Sequence, residues 1–161
     1  FIFGNAAVVF QNCKIYVRLP MTGQKNVITA QGRNDLNQNT GISIINCKIE
    51  PSKDFSTEMS SFKTFLGRPW KLYSRTVYLK SYIGSLIDAA GWLPWNGTFA
   101  LDTLYYGEYR NTGPGSNTSL RVNWTGYNVI NTSAVASQFS VRSFIQGERW
   151  IGYSGVPYML D

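Results

Sequence analysis

Val9-Phe10-Gln11-Asn12-Cys13-Lys14-Ile15 and Ser43-Ile44-Ile45-Asn46-Cys47-Lys48-Ile49 are two stretches that share the motif Asn-Cys-Lys-Ile at a spacing of 34 residues. A third stretch, Val77-Tyr78-Leu79-Lys80-Ser81-Tyr82-Ile83, follows after the same interval. A β-forming segment that recurs at a fixed interval, with variable polar stretches between its copies, is typical of the stacked coils of a solenoid. The sequence therefore predicts an all-β fold whose strands run parallel, one coil above the next.

Period-two alternation within the three copies predicts one shared face. That face would carry Gln11, Cys13 and Ile15, then Ile45, Cys47 and Ile49, then Leu79, Ser81 and Ile83. Stacked strands lie about 4.8 Å apart, which is within the roughly 4.4–6.8 Å between Cα atoms that a disulfide requires. We therefore predict a disulfide between Cys13 and Cys47; the alternative is two buried free thiols.

Length and composition favour a single folded domain over residues 1–161. Hydrophobic residues make up 43% of the 161 and charged residues 15%, so the chain can bury a real core. No apolar run reaches 18 residues, so no membrane span is predicted. Further β-branched or aromatic runs predict strands at 26–30, 76–82, 101–108 and 119–124, and a short helix is predicted at 135–139 with Ser133 as its cap.

The charged residues restrict the chemistry and the partners. The chain has no histidine, which excludes Ser-His-Asp, Cys-His and histidine–metal sites. The net charge of +6 favours a polyanionic partner. The fifteen basic residues are scattered and form no Lys/Arg run, which argues against nucleic acid.

Four Asn-X-Ser/Thr sequons indicate a secreted glycoprotein. They predict glycosylation at Asn96, Asn117, Asn123 and Asn131. A secreted protein would also be compatible with the predicted disulfide.

Five short motifs, in this order, give the chain a family resemblance. They are Phe1-Ile2-Phe3-Gly4-Asn5, Thr29-Ala30-Gln31-Gly32-Arg33, Leu66-Gly67-Arg68-Pro69-Trp70, Gly91-Trp92-Leu93-Pro94-Trp95 and Tyr105-Tyr106-Gly107-Glu108-Tyr109. Together they resemble the plant pectin methylesterase (pectinesterase) family over essentially the whole chain. The resemblance implies a right-handed parallel β-helix, here incomplete at its N-terminal side, with the chain as the C-terminal portion of the catalytic domain.

The resemblance also implies an activity and a location. Such enzymes hydrolyse the methyl esters of homogalacturonan in the plant cell wall, releasing methanol and pectate, and they use no metal and no cofactor. One aspartate attacks the ester, a second serves as general acid and then base, and a glutamine helps hold the oxyanion. A proteinaceous pectinesterase inhibitor is a further partner implied by the family.

The family's nucleophilic aspartate would stand directly before Phe1, and the general acid and the glutamine would lie further upstream. We therefore expect the 161-residue chain alone to be inactive. Among its own residues, the resemblance assigns Arg68 to orient the nucleophile and Trp70 to bind a sugar ring, with Phe1 and Phe3 lining the same cleft. Without that likeness, Arg68 would be interpreted as a surface charge and Trp70 as part of the core.

Two further pairs of residues are open to interpretation. Trp92 and Trp95 could each lie in the core or in the cleft. Asp102 stands in a stretch that copies the upstream general-acid signature, but we interpret it as structural, and Asp88 lies in a turn away from the expected site.

Two other functions compete with an esterase. One is a truncated, non-catalytic β-solenoid that binds polygalacturonan. The other is a calcium-dependent pectate lyase, which fits less well because its site needs clustered carboxylates and the acidic residues here are spread out.

Overall fold

The computed structural model describes residues 2–161, which form eleven short strands. They are β1 Ile2–Gly4, β2 Ala7–Gln11, β3 Lys14–Val17, β4 Asn26–Gln31, β5 Gly41–Ile45, β6 Lys48–Pro51, β7 Thr64–Gly67, β8 Arg75–Leu79, β9 Tyr82–Ile83, β10 Tyr105–Tyr109 and β11 Tyr127–Val129. Three helices join them: α1 Lys53–Ser56, α2 Ser133–Ser137 and α3 Val141–Ile145. Short 3₁₀ turns cover Met59–Ser61, Gly147–Arg149 and Ile151–Tyr153.

The strands form three sheets that wind around one interior. The first sheet has the order β1-β4-β7, the second β2-β5-β8-β10-β11 and the third β3-β6-β9. Every strand pair that the structure records over residues 2–161 runs parallel. Three successive coils each contribute one strand to each sheet, so the predicted parallel β-helix is confirmed.

The 34-residue repeat is the register of the coils. Phe10 pairs with Ile44 and Ile44 with Tyr78 in the second sheet, and Ile49 pairs with Ile83 in the third. The interval shortens to 30 residues at the next coil, where Tyr105 pairs with Arg75. The motif therefore disappears from the sequence after the third copy although the stacking continues.

The predicted shared face is wrong, because the chain turns a corner inside the motif. Asn46 has a φ of 51° and links β5 to β6. This left-handed residue breaks the period-two alternation. Ile45 therefore packs on the outside of the second sheet with Leu79 and Tyr109, while Cys47 points into the solenoid core.

Cys13 and Cys47 are stacked as expected, but the predicted disulfide is absent and both are free cysteines. The amide of Cys13 donates to Sγ of Cys47 at 3.4 Å. Each thiol instead donates to a backbone carbonyl, Cys13 to Gln11 and Cys47 to Ile45, both at 3.3 Å. Burial raises the pKa of the Cys47 thiol to about 11, so it stays protonated at neutral pH.

The C-terminal segment covers the outer face of the second sheet. Phe139 and Ala136 pack on Val77, Leu79 and Ile130. Helix α2 begins two residues before the predicted 135–139, and its cap is Thr132, whose hydroxyl accepts from the amide of Val135, so Ser133 is not the cap. Helix α3 was not predicted from the sequence.

The strand predictions succeed in the early coils and fail in later ones. The run at 26–30 is confirmed within β4, and 76–82 is divided between β8 and β9. Only the second half of 101–108 is strand, in β10, and 119–124 is loop because it crosses the outside of the coil. No helix within residues 2–161 is long and apolar enough to cross a bilayer.

The coil formed by β1, β2 and β3 is an open end of the solenoid. Its inward side chains, Ile2, Val8, Phe10 and Ile15, are only partly buried, whereas Ile44 and Ile49 one coil further are fully buried. Unpaired strand edges with apolar neighbours are templates for association.

We predict that the 161-residue chain, expressed alone, associates through this open coil or folds only in part. Light scattering after size-exclusion chromatography should show species heavier than one chain. A soluble monomer with one sharp, cooperative thermal transition would contradict the prediction.

Candidate active site

Arg68 lies directly after β7 at the rim of the first sheet. Its amide donates to the carbonyl of Thr29 in β4 at 3.0 Å, which continues the sheet by one residue. Its guanidinium carbon is 4.3 Å from the centre of the Trp95 ring. This cation–π contact fixes the direction of a half-buried arginine.

Trp70 and Phe3 form an exposed aromatic pair beside this arginine. Their ring centres are 6.0 Å apart and their planes are nearly perpendicular, at 78°. Trp70 is 37% exposed and Phe3 64%. A Cβ at Gly32 would lie 2.8 Å from the Trp70 ring, so only glycine at position 32 allows the ring to lie flat on β4.

The turn that carries Trp70 is held by the buried side chain of Gln31. Its Oε1 accepts from the amides of Arg33 at 2.9 Å and Arg75 at 2.8 Å. The carbonyl of Gln31 accepts from the amide of Trp70 at 3.3 Å and from the hydroxyl of Ser74. One amide side chain therefore sets the path of the chain on both sides of the aromatic pair.

A cavity of about 1050 Å³ opens next to Arg68. Ile2, Val27, Arg68 and Trp95 are among the residues that line it. Arg18 and Lys25 also line it, so its rim is positively charged. Phe1, which the resemblance places in this cleft, lies outside the described residues.

The two uncertain tryptophans have different environments. Trp92 is 1% exposed and stacks on Tyr106, with ring centres 4.1 Å apart. Trp95 is 40% exposed and covers Arg68. Trp92 is therefore a core residue, and Trp95 belongs to the cleft.

A buried ion pair that the sequence analysis missed anchors Trp92. Glu108 and Arg121 are each 2% exposed, and the Nε of Arg121 lies 2.8 Å from Oε1 of Glu108. The same oxygen accepts from the indole N–H of Trp92 at 3.2 Å and from the hydroxyl of Tyr127 at 3.1 Å. Glu108 stands in a strand of four tyrosine, glycine and glutamate neighbours, and its burial among them was the available signal.

This ion pair connects to the arginine through the backbone. Arg121 also donates to the carbonyls of Ala89 at 3.1 Å and Gly115 at 2.7 Å. Next to that segment, the amide of Leu93 donates to the carbonyl of Gly67 at 3.0 Å. The loop from Gly91 to Trp95 is thus fixed at its start by Glu108 and Arg121, and at its end it contacts Arg68.

Burial also determines the state of the tyrosines in this region. Burial, and then the charge of Glu108, raise the pKa of Tyr127 above its ordinary value. Burial raises the pKa of Tyr106 as well. Both phenols therefore stay protonated and can act as hydrogen-bond donors.

The two aspartates considered above both have structural partners. Asp102 accepts from the hydroxyl of Thr125 at 2.9 Å. Asp88 accepts from the amide of Ala90 at 3.0 Å and pairs with Lys63 at 3.3 Å. These contacts agree with the structural interpretation of both residues.

All four sequon asparagines, Asn96, Asn117, Asn123 and Asn131, are exposed. Their glycosylation stays a prediction.

Comparison with known proteins assigns this arrangement to a family. The family model described as Pectinesterase matches residues 1–148. The chain belongs to the pectinesterase family. It is 62% identical over 158 residues to pectinesterase/pectinesterase inhibitor 18 of Arabidopsis thaliana and 61% identical over 158 residues to the pectinesterase/pectinesterase inhibitor of Ficus pumila var. awkeotsang.

The pectinesterase fold also matches a solved structure. Carrot pectin methylesterase superposes with a TM-score of 0.98 at 56% identity, covering 99% of this chain and 50% of that one. The two curated relatives are matched over 98% of this chain, which spans 28% of the Arabidopsis protein and 29% of the Ficus protein. The chain therefore corresponds to part of each pectinesterase relative.

We predict that Glu108→Ala destabilises the fold by about 3–5 kcal/mol, because it leaves Arg121 buried without its partner. Glu148 is the matched control, since its ion pair with Arg142 is about half exposed and Glu148→Ala should cost less than about 1 kcal/mol. Thermal or denaturant unfolding of a soluble protein that contains this chain measures both. Equal effects of the two substitutions would contradict the assigned role of the buried pair.

Proposed function

We propose that this chain is the C-terminal part of a pectinesterase that hydrolyses the methyl esters of homogalacturonan. The observation that carries the proposal is the geometry around Arg68. A half-buried guanidinium lies against Trp95, next to a cavity and to the exposed aromatic pair of Trp70 and Phe3. A fixed cation beside flat aromatic surfaces suits a carboxylate nucleophile and a chain of sugar rings.

The proposed nucleophile is an aspartate directly before Phe1 in the full-length parent. Ile2 pairs with Thr29, so two further residues back along the β1–β4 register lead to Val27. Val27 and Arg68 line the same cavity. An aspartate there would be within the reach of Arg68, whose charge would keep it ionised and orient it by a bidentate contact.

The reaction then proceeds in two balanced steps. The aspartate attacks the ester carbonyl carbon, and the C–O bond to the methoxy group breaks as a second, protonated aspartate gives its proton to the leaving methanol. The resulting mixed anhydride is cleaved by water, which the second aspartate, now a base, deprotonates. The products are a galacturonate carboxylic acid and the free nucleophile.

The surroundings of the cleft support the same substrate. Trp70 and Phe3 offer apolar faces to sugar rings, while Arg18 and Lys25 at the rim of the cavity would attract the carboxylates of de-esterified units. Secretion to the plant cell wall, and a proteinaceous pectinesterase inhibitor as partner, are part of the proposal and rest on the family resemblance.

Methanol release from methyl-esterified pectin tests the proposal. We expect activity from a chain extended upstream through both aspartate positions, and none from the 161-residue chain. Activity in the short chain would contradict the assignment of the nucleophile and direct attention to Asp102 and Asp88. An inactive extended chain that still binds polygalacturonan would favour the non-catalytic solenoid instead.

In the extended protein, Arg68→Ala should lower kcat by about two orders of magnitude, the size expected when a group that positions the reacting atoms is lost. Arg68→Lys should restore only part of the rate, because lysine cannot form the bidentate contact. Trp70→Ala should act mainly on KM, and Trp150→Ala, at another exposed tryptophan, is the control. An unchanged kcat in Arg68→Ala would contradict the proposed role of the guanidinium.

A further inference from the structure

A second concentration of positive charge lies on the outside of the third sheet. It consists of Lys14, Lys48, Lys80 and Arg110 together with the aromatic ring of Tyr82, and is called the basic face below. All five side chains are exposed. Lys14 and Lys48 are register partners in adjacent coils, and Tyr82 continues the same column.

The stacking forces like charges together without balancing them. Partners in neighbouring strands lie about 4.8 Å apart, and like charges directly opposite one another are unfavourable. Lys48 is paired with Glu50 at 2.9 Å. Within residues 2–161, no ion pair involves Lys14, Lys80 or Arg110.

Two of these cations occupy corner positions that suit other residues better. At the corresponding corners of the first two coils, Asn12 and Asn46 adopt left-handed φ angles and bond to each other at 2.6 Å. Lys80, with φ of 51°, and Arg110, with φ of 47°, hold the same conformation in the next coils. Asparagine tolerates this conformation and long side chains do not favour it, so backbone geometry does not explain the two cations.

The basic face is concave and has an aromatic surface. A cavity of about 610 Å³ is lined by Lys14, Lys48, Lys80 and Tyr82, among others. The ammonium of Lys48 lies 5.3 Å from the centre of the Tyr82 ring. This cavity shares no lining residue with the one beside Arg68.

We propose that the basic face is a second binding site, for the de-esterified galacturonan that the cleft produces. A linear polysaccharide with one carboxylate on each sugar could lie along the axis of the solenoid, so that successive carboxylates meet cations of successive coils and relieve their repulsion. Tyr82 would contact a sugar ring through its apolar face. The site would hold the enzyme on its anionic product while the cleft acts on neighbouring esters.

The nature of the anion is chosen over nucleic acid for a structural reason. The cations are spaced by the coil repeat, which is comparable to the length of one saccharide unit, and one aromatic ring accompanies them. Single-stranded nucleic-acid sites instead use several aromatic side chains that stack successive bases. The identity of the sugar rests on the proposed function, whereas the binding of a polyanion does not.

The test compares two triple variants of the full-length parent protein. In the first, Lys14→Gln, Lys80→Gln and Arg110→Gln remove three charges from the basic face and leave the Lys48–Glu50 pair. In the control, Lys53→Gln, Lys63→Gln and Arg149→Gln remove three charges elsewhere. Calorimetry measures the Kd for a fully de-esterified oligogalacturonide at several salt concentrations, and methanol release from a short methyl ester reports on the cleft.

We expect the first variant to bind the oligogalacturonide about tenfold more weakly, the loss expected for three exposed ion pairs, with a shallower salt dependence. The control should stay within about twofold, and methanol release should be unchanged in both variants. Equal affinities in the two variants, or an equal loss in both, would overturn the proposal. A basic-face-dependent affinity for a single-stranded oligonucleotide as tight as that for the sugar would overturn it too.

The two proposals can fail separately. If no variant releases methanol but the first still loses affinity for the oligogalacturonide, the esterase function fails and the second site stands. If methanol is released and affinity does not depend on the basic face, the second site fails and the esterase function stands.

Discussion

In-register stacking of parallel coils is the constraint on which the rest of the structure depends. Each residue of a strand lies beside its counterpart 34 positions away, so isoleucine lies on isoleucine in the core, as Ile15, Ile49 and Ile83 do. The left-handed corners at Asn12, Asn46 and Lys80 keep that register while they reverse which side faces inward. Stacking therefore determines at once the interior, the outer apolar cluster and the columns of charge on the surface.

The proposed cleft is a local consequence of the same stacking. Arg68 extends the first sheet by one hydrogen bond to Thr29, which brings it level with the aromatic pair on the neighbouring coils. Its direction is then fixed from the next coil by Trp95. The buried pair of Glu108 and Arg121 supports that loop through Trp92. A charged network in the core thus contributes to function without touching the cleft.

The sequence predicted what depends on repetition and missed what depends on long-range packing. The Asn-Cys-Lys-Ile repeat was sufficient for the parallel β-helix and its register, and the motif at Arg68 was sufficient to locate the candidate site. It could not show the reversal at Asn46, because a left-handed corner leaves the pattern of apolar residues unchanged. Trp92 and Trp95 were indistinguishable for a similar reason, since only the buried Glu108 separates them. The disulfide failed although the stacking was right, because register places two thiols side by side without requiring that they bond.

Indole N–H signals of the full-length parent, followed by NMR during titration with a partially methyl-esterified oligogalacturonide, test the central claim most directly. The account predicts that the signals of Trp70 and Trp95 shift and that a Trp70→Phe substitution removes one of them. The signal of Trp92, whose N–H is bonded to Glu108 in the core, should hardly move. Shifts confined to Trp124 or Trp150, or no shifts at saturating oligosaccharide, would contradict a substrate cleft formed around Arg68.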